Sequence, residues 1–295
     1  MHADMPEHAH TTLAFGQSGI APLTLCVLSP TAHSACNDSA AVNQSAGDAT
    51  GYRSSGGASR AICFMLQKNA ALVAGCRVIE LGCGSAAAGL FSARHSSDVC
   101  LTDGDSASLL LARCSLAANR DVKANVRFAP LAWGEAGCRA AAPLPGTLAD
   151  VLFSGGGPDA APLLILCADL LYYAGGTRAL VETIGELVRD GGLCVCAFNP
   201  RHADWQDVLC NAADAHGLEV WQLPLDSCVP PESMAEGWFA STRLMLLWHR
   251  SMQPPTLAEG DTARLRRVTA TTAVKVGVGW EWASLPMGSS DSDGA

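Results

Sequence analysis

The chain is 295 residues long, 49% hydrophobic and only 16% charged, with a formal net charge of −9. Such a length holds one or two domains, and the composition suits a parallel sheet buried between helices. The acidic balance leaves no strongly basic face to displace counterions, which argues against a role built on nucleic-acid backbone.

Thirteen cysteines are scattered along the chain without any C-x-x-C pair. A zinc site or redox dithiol therefore lacks its usual spacing, and the thiols read as small buried hydrophobes in a reducing compartment. No basic segment followed by an apolar core opens the chain, and no apolar run approaches the ~20 residues of a membrane span. The expectation is a soluble cytoplasmic protein, with the nucleus an alternative, and no membrane partner.

Residues 1–57 are expected to form an extension that is partly disordered. The histidines 2, 8 and 10 read as part of a loose tail. Two apolar runs between Thr12 and Leu28 offer edge strands or a cover for the sheet, and Ser34 to Gly57 is rich in Ser, Ala, Gly and Asn. A helix is predicted from Ala58 to about Ala70. Arg77 to Leu81 is an apolar strand running into Gly82-Cys83-Gly84, followed by small residues that can open a helix. A second strand, Val99 to Thr102, ends in Asp103, and leucines at helical spacing follow from Ser106 to Asn119.

Asn125 to Trp133 alternates as a third strand, and Ala140 to Asp159, with its prolines and glycine run, reads as an inserted loop. Pro162 to Ala168 and Leu193 to Phe198 are continuous apolar strands, as expected when both faces are buried. Helices are predicted over Thr177 to Arg189 and Asp204 to His216. The strands Leu218 to Leu223 and Thr242 to His249 have no helix between them. Residues 251–295 look like an extension without a core of its own, and the basic run Arg264-Leu-Arg-Arg267 in it reads as a solvated stretch. The fold class is α/β: a doubly wound, mostly parallel seven-stranded sheet with an antiparallel edge hairpin, over residues 58–250.

The strand, glycine turn, helix and second acid-tipped strand form a nucleoside-holding unit, with Asp103 twenty-three positions after Glu80. Glycines let backbone approach a ligand closely, and Asp103 can accept from ribose hydroxyls. A pyrophosphate would be repelled by Glu80, and G-x-G-x-x-G would need glycine where Ala87 stands. S-adenosylmethionine, a cation at both sulfonium and ammonium, suits an acid there. A third strand end carries Cys167-Ala-Asp-Leu-Leu-Tyr-Tyr173, holding two of the three tyrosines. An acid followed by aromatics can hold a cationic amine by charge and by cation–π contact.

These motifs resemble the seven-β-strand (class I) methyltransferases, and in particular the protein lysine methyltransferases called methyltransferase family 16. The matching stretches are Thr50-Gly51, Val78 to Gly84, Leu101-Thr-Asp103, Asn119, Leu131-Ala-Trp-Gly-Glu135 and Asp169-Leu-Leu-Tyr172. The resemblance covers about residues 50–250. It implies a cofactor loop of Glu80, Gly82, Cys83 and Gly84, with Asp103 on the ribose, Trp133 along the adenine and Ala168 bordering the cofactor. It also implies that Asp169 and Tyr172 face the methyl acceptor, and that the partner is a protein substrate. The family's third loop glycine is Ala86 here, and its early tryptophan is Ser55.

Asn199-Pro200, after the fifth strand of the core unit, reads as a turn, and Arg201 beside it can help place a substrate at the rim. The expected chemistry is in-line methyl transfer from S-adenosylmethionine to a neutral amine, with no metal. A small-molecule N-methyltransferase and a binding or regulatory member of the fold stand as alternatives.

Overall fold

The computed structural model describes residues 8–15, 21–28, 56–96, 98–122, 125–134, 136–138, 148–153, 161–235, 237, 239–258 and 260–270. Gly51, Ser55, Glu135 and most of the two predicted extensions lie outside these.

The strands in chain order are β1 (His8–Leu13), β2 (Leu23–Leu28), β3 (Arg77–Leu81), β4 (Asp98–Asp103), β5 (Asn125–Pro130), β6 (Leu163–Ala168), β7 (Leu193–Phe198), β8 (Leu218–Gln222), β9 (Arg243–His249) and β10 (Arg266–Arg267). The α-helices are α1 (Gly57–Lys68), α2 (Ala87–Ser92), α3 (Ser106–Ala118), α4 (Leu148–Phe153), α5 (Ala174–Val188), α6 (Trp205–Ala215), α7 (Pro231–Ala235) and α8 (Asp261–Arg264). The main sheet has the order β10-β8-β9-β7-β6-β3-β4-β5. Strands β5, β4, β3, β6 and β7 run parallel, and β9 is antiparallel to both β7 and β8. The expected seven strands are present, and β10 adds a two-residue eighth at the edge by pairing with β8.

Alternation along the buried strands splits the core into two layers. On one face Val78, Leu164, Leu166, Val195 and Ala197 meet α1, α2 and α3. On the other, Ile79, Leu81, Ile165, Cys167, Cys194 and Phe198 meet α5 and α6. Both faces being covered explains the continuous apolar runs of β6 and β7. Asp105 starts α3 by accepting from the amides of Ala107 at 3.1 Å and Ser108 at 3.3 Å, a side-chain cap on otherwise unpaired donors.

Three regions depart from the sequence expectation. Part of the supposed loop 140–159 is a helix, α4, whose Leu148, Leu152 and Phe153 are buried. Its apolar L-x-x-x-L-F spacing was masked by the flanking prolines and glycines. Strands β1 and β2 pair as a separate two-stranded sheet laid on α3, the covering alternative, and β1 takes in His8 and His10, which the sequence alone places in a loose tail. The open edge of β2 is satisfied by side chains. Thr24 donates its amide to Asn119 Oδ1 at 3.0 Å, Asn119 Nδ2 returns a bond to Thr24 O at 2.6 Å, and Cys26 N donates to Ser115 Oγ at 2.8 Å. Residues 251–258 and 260–270 fold back onto the end of α1 and the sheet edge: Lys68 Nζ lies 2.7 Å from Asp261 Oδ1, Ala258 N donates to Asn69 Oδ1 at 2.6 Å, and β10 pairs with β8.

The twelve described cysteines are all free. Among the described residues, no helix is long and apolar enough to cross a membrane.

Candidate active site

The chain steps outward from β3 through β4 to β5, then returns to place β6 on the other side of β3. This reversal is a switch point, where open α/β sheets form a crevice beyond the strand ends. The ends of β4, β3, β6 and β7 lie side by side there and carry Asp103, Gly82, Asp169 and Asn199. Register makes them neighbours: Glu80 pairs with Leu101 on one side and Leu166 on the other, and Ala168 pairs with Ala197.

The glycine loop is tied to β4 at three points. Cys83 N donates to Thr102 O at 2.8 Å, Thr102 Oγ1 donates to Glu80 O at 2.9 Å, and Gly84 N donates to Asp103 Oδ2 at 3.0 Å. Asp103 Oδ1 accepts from Asp105 N at 3.0 Å. Burial raises the Asp103 pKa, against the pull of these amides. Each carboxylate oxygen keeps a lone pair beyond its amide contact, so the group can still accept from a diol.

Gly82 is where the loop meets the opposite wall. Its φ is +56°, and an added Cβ would lie 2.8 Å from a Leu170 methyl and 2.9 Å from Trp133 Cζ2. Only glycine fits so close an approach. Trp133 is held by the segment after β5, where Leu131 N donates to Asp103 O at 2.9 Å and Gly134 N donates to Thr183 Oγ1 at 2.9 Å. The half-buried Ala168 ends β6 directly before Asp169. The structure thus brings Gly82, Gly84, Asp103 and Trp133 into one cradle. Cys83 is buried in that loop, and burial pushes its thiol well up, so it stays protonated and chemically quiet.

Glu80 takes a different position from the loop glycines. It is 2% exposed, and its Oε2 accepts from Gly89 N at 2.9 Å in the first turn of α2. A Cβ on Gly89 would fall 2.6 Å from that same oxygen. Burial pushes the Glu80 carboxyl up to about 8 despite these amides. Its visible task is to hold α2 against the loop.

Ala86, the residue in place of the family's third glycine, has φ 64° and is fully buried. The left-handed conformation costs an alanine about 1–2 kcal/mol, while deleting its buried methyl forfeits about 0.8 kcal/mol. Ala86→Gly is therefore expected to raise the thermal midpoint slightly, by about 1–2 °C. A fall of several degrees by calorimetry would contradict that balance.

The third cluster surrounds Asp169, itself left-handed at φ 58°, which aspartate tolerates. Asp169 N donates to Ala197 O at 2.7 Å. Its Oδ1 accepts from Asn199 N at 3.1 Å, and its Oδ2 accepts from Arg201 Nη2 at 2.8 Å. The Arg201 guanidinium carbon stands 5.1 Å from the centre of the Tyr172 ring. Asn199 Oδ1 accepts from Ser241 Oγ at 3.1 Å and Thr242 Oγ1 at 2.9 Å, which fixes the Asn199-Pro200 turn from the segment just before β9. Sequence reasoning missed Leu170 as the wall against Gly82, and Ser241 and Thr242 as the anchor of this turn. Leu170 sat inside D-L-L-Y, but nothing in its apolar identity set it apart.

The arrangement fits S-adenosylmethionine on the chemistry of its polar groups. An acid with free acceptor capacity ends β4, the complement of a ribose diol, and a glycine loop lies against an indole. The profile of a family described as lysine methyltransferase matches residues 42–151, a span that includes the loop, Asp103 and Trp133. A TehB-like SAM-dependent methyltransferase from Corynebacterium glutamicum is 16% identical, with a TM-score of 0.41, over 75% of this chain and 100% of that one. A magnesium protoporphyrin IX methyltransferase from Synechocystis is 13% identical, with a TM-score of 0.41, over 70% of this chain and 88% of that one. A 16S rRNA N2 G1207 methyltransferase from T. thermophilus is 17% identical, with a TM-score of 0.43, over 83% and 51%. No curated protein matches the chain in sequence.

Proposed function

We propose that this chain, a Rossmann-like S-adenosylmethionine-dependent methyltransferase of the matched family, transfers the methyl group to a lysine side chain of a protein substrate. The observation that carries the reading is the Leu170 contact. Leu170 lies between Asp169 and Tyr172 in sequence and presses on Gly82. The acid Asp169 and the ring of Tyr172 flank the residue that makes this contact, which supports an amine acceptor being received beside the loop.

The cofactor supplies a methyl group on a sulfonium, whose positive charge passes to the acceptor on transfer. The loop Gly82 to Gly84 would hold it, with Asp103 on the ribose hydroxyls, Trp133 along the base, and Cys83 and Ala168 bordering it. Glu80 would act through α2, by keeping the loop closed on its helix. Asp169 and Tyr172 would receive the acceptor: the carboxylate orients the nitrogen and favours the product cation, and the ring shapes the approach. A lysine must lose its proton before it attacks, and solvent reaches the site to take that proton, since the Asp169 side chain is 25% exposed. The remaining contribution is alignment of the two reactants.

Asp169→Ala is expected to lower methyl transfer to protein by about tenfold or more. Affinity for S-adenosylhomocysteine should stay within about threefold, since only an interaction made with the acceptor is removed. Radiolabelled transfer into cell extract, read beside calorimetry, checks both. Full turnover in the variant would remove Asp169 from this role.

A further inference from the structure

We infer that Arg201 is a specificity gate that occupies the acceptor subsite in cis, an inference resting on the lysine reading of that site. The D-x-x-Y turn offers a cation two things, a carboxylate and a ring face. Both are engaged by one guanidinium, 2.8 Å from Asp169 Oδ2 and 5.1 Å from the centre of the Tyr172 ring. Arg201 therefore stands where a lysine nitrogen would be received, and an acceptor must displace it.

The mounting of Asp169 allows that displacement. Its Oδ1 is held by a backbone donor, Asn199 N, and Asn199 is itself fastened by Ser241 and Thr242. Its Oδ2 is held by a side chain on a long flexible stem. When Arg201 swings away, the carboxylate keeps its backbone bond and its place. The pair is reachable from solvent, with side-chain exposures of 25% for Asp169 and 29% for Arg201. Ion pairs of that exposure are weak and exchangeable. While in place, the Arg201 guanidinium repels a protonated amine and neutralises the acid that would attract one. A casual cation is thus kept out, and an acceptor presented on a docked protein, with other contacts to contribute, can open the site.

The test is binding of n-butylammonium, the chemical end of a lysine side chain, by saturation-transfer NMR and calorimetric titration. The proteins are the full wild-type chain, Arg201→Ala, Arg201→Gln, Arg201→Lys and Arg201→Ala/Asp169→Asn. The gate predicts that Arg201→Ala and Arg201→Gln bind the probe about tenfold or more tightly than wild type. Arg201→Lys should match wild type, because it restores a cation, and the double variant should lose the gain. S-adenosylhomocysteine binding confirms that each variant is folded, and the Gln variant serves if the Ala variant is not. Two results overturn the gate: probe affinity unchanged in the folded Ala and Gln variants, or a gain that survives Asp169→Asn. The outcomes separate the two readings. A wild-type protein that labels lysine while neither variant gains the probe defeats the gate alone. A gained subsite in a chain that labels no lysine defeats the lysine reading alone.

Discussion

Asp103→Ala should abolish measurable cofactor binding while leaving a folded protein. Both oxygens of the carboxylate are held in place by backbone amides, from Gly84 and Asp105. Two hydrogen bonds from ribose hydroxyls to a charged group contribute about 1.5–3 kcal/mol each, so their loss weakens binding by about 100-fold or more. The same change leaves two amides without their acceptor. That costs on the order of 2 kcal/mol and a thermal midpoint lower by about 4–8 °C. Asp103→Asn, which keeps one good acceptor, should fall between wild type and alanine in both readouts. Calorimetric titration with S-adenosylmethionine and a parallel thermal scan check the pair. Wild-type affinity in the folded alanine variant would move the ribose contact elsewhere.

The second large effect concerns Glu80. Its carboxyl is raised by burial from 4.5 to about 8 in the folded chain. Between those values the unfolded chain has released this proton and the native chain retains it. The native state then binds more protons, so stability is fully present below about 4.5 and is lost as pH rises towards 8. Glu80→Gln keeps an oxygen for Gly89 N and removes the titration. Across that window the wild type should lose on the order of 4 kcal/mol relative to the variant. Denaturant unfolding of both proteins at several pH values reads this directly. Parallel curves would mean that Glu80 is ionised in the native state at neutral pH.

How far the sequence carried follows from what each pattern encodes. Continuous apolar runs located β3, β6 and β7, because a strand buried on both faces has few other compositions. The acid-tipped ends of β3 and β4 and the glycine pair were legible because backbone geometry at such a turn restricts residue type. What the sequence hid was adjacency. That Leu170 meets Gly82 depends on β6 lying beside β3, a long-range pairing with no local mark. That Arg201 meets Asp169 depends on β7 lying beside β6, thirty-two positions away along the chain. Glu80 illustrates a subtler limit: its type and position suited a cation, yet its side chain turns beneath α2, and only the fold says which way an acid at a strand end points. α4 was missed because prolines and glycines around a six-residue helix outweighed its own apolar spacing.

The most direct test of the proposed activity is transfer of labelled methyl from S-adenosylmethionine into cell extract by the wild-type chain, followed by complete hydrolysis and separation of the labelled amino acids. The account predicts label in methylated lysine from the protein fraction, lost with Asp103→Ala and reduced about tenfold with Asp169→Ala. Label confined to small molecules or to RNA, from a chain that binds the cofactor, would contradict it.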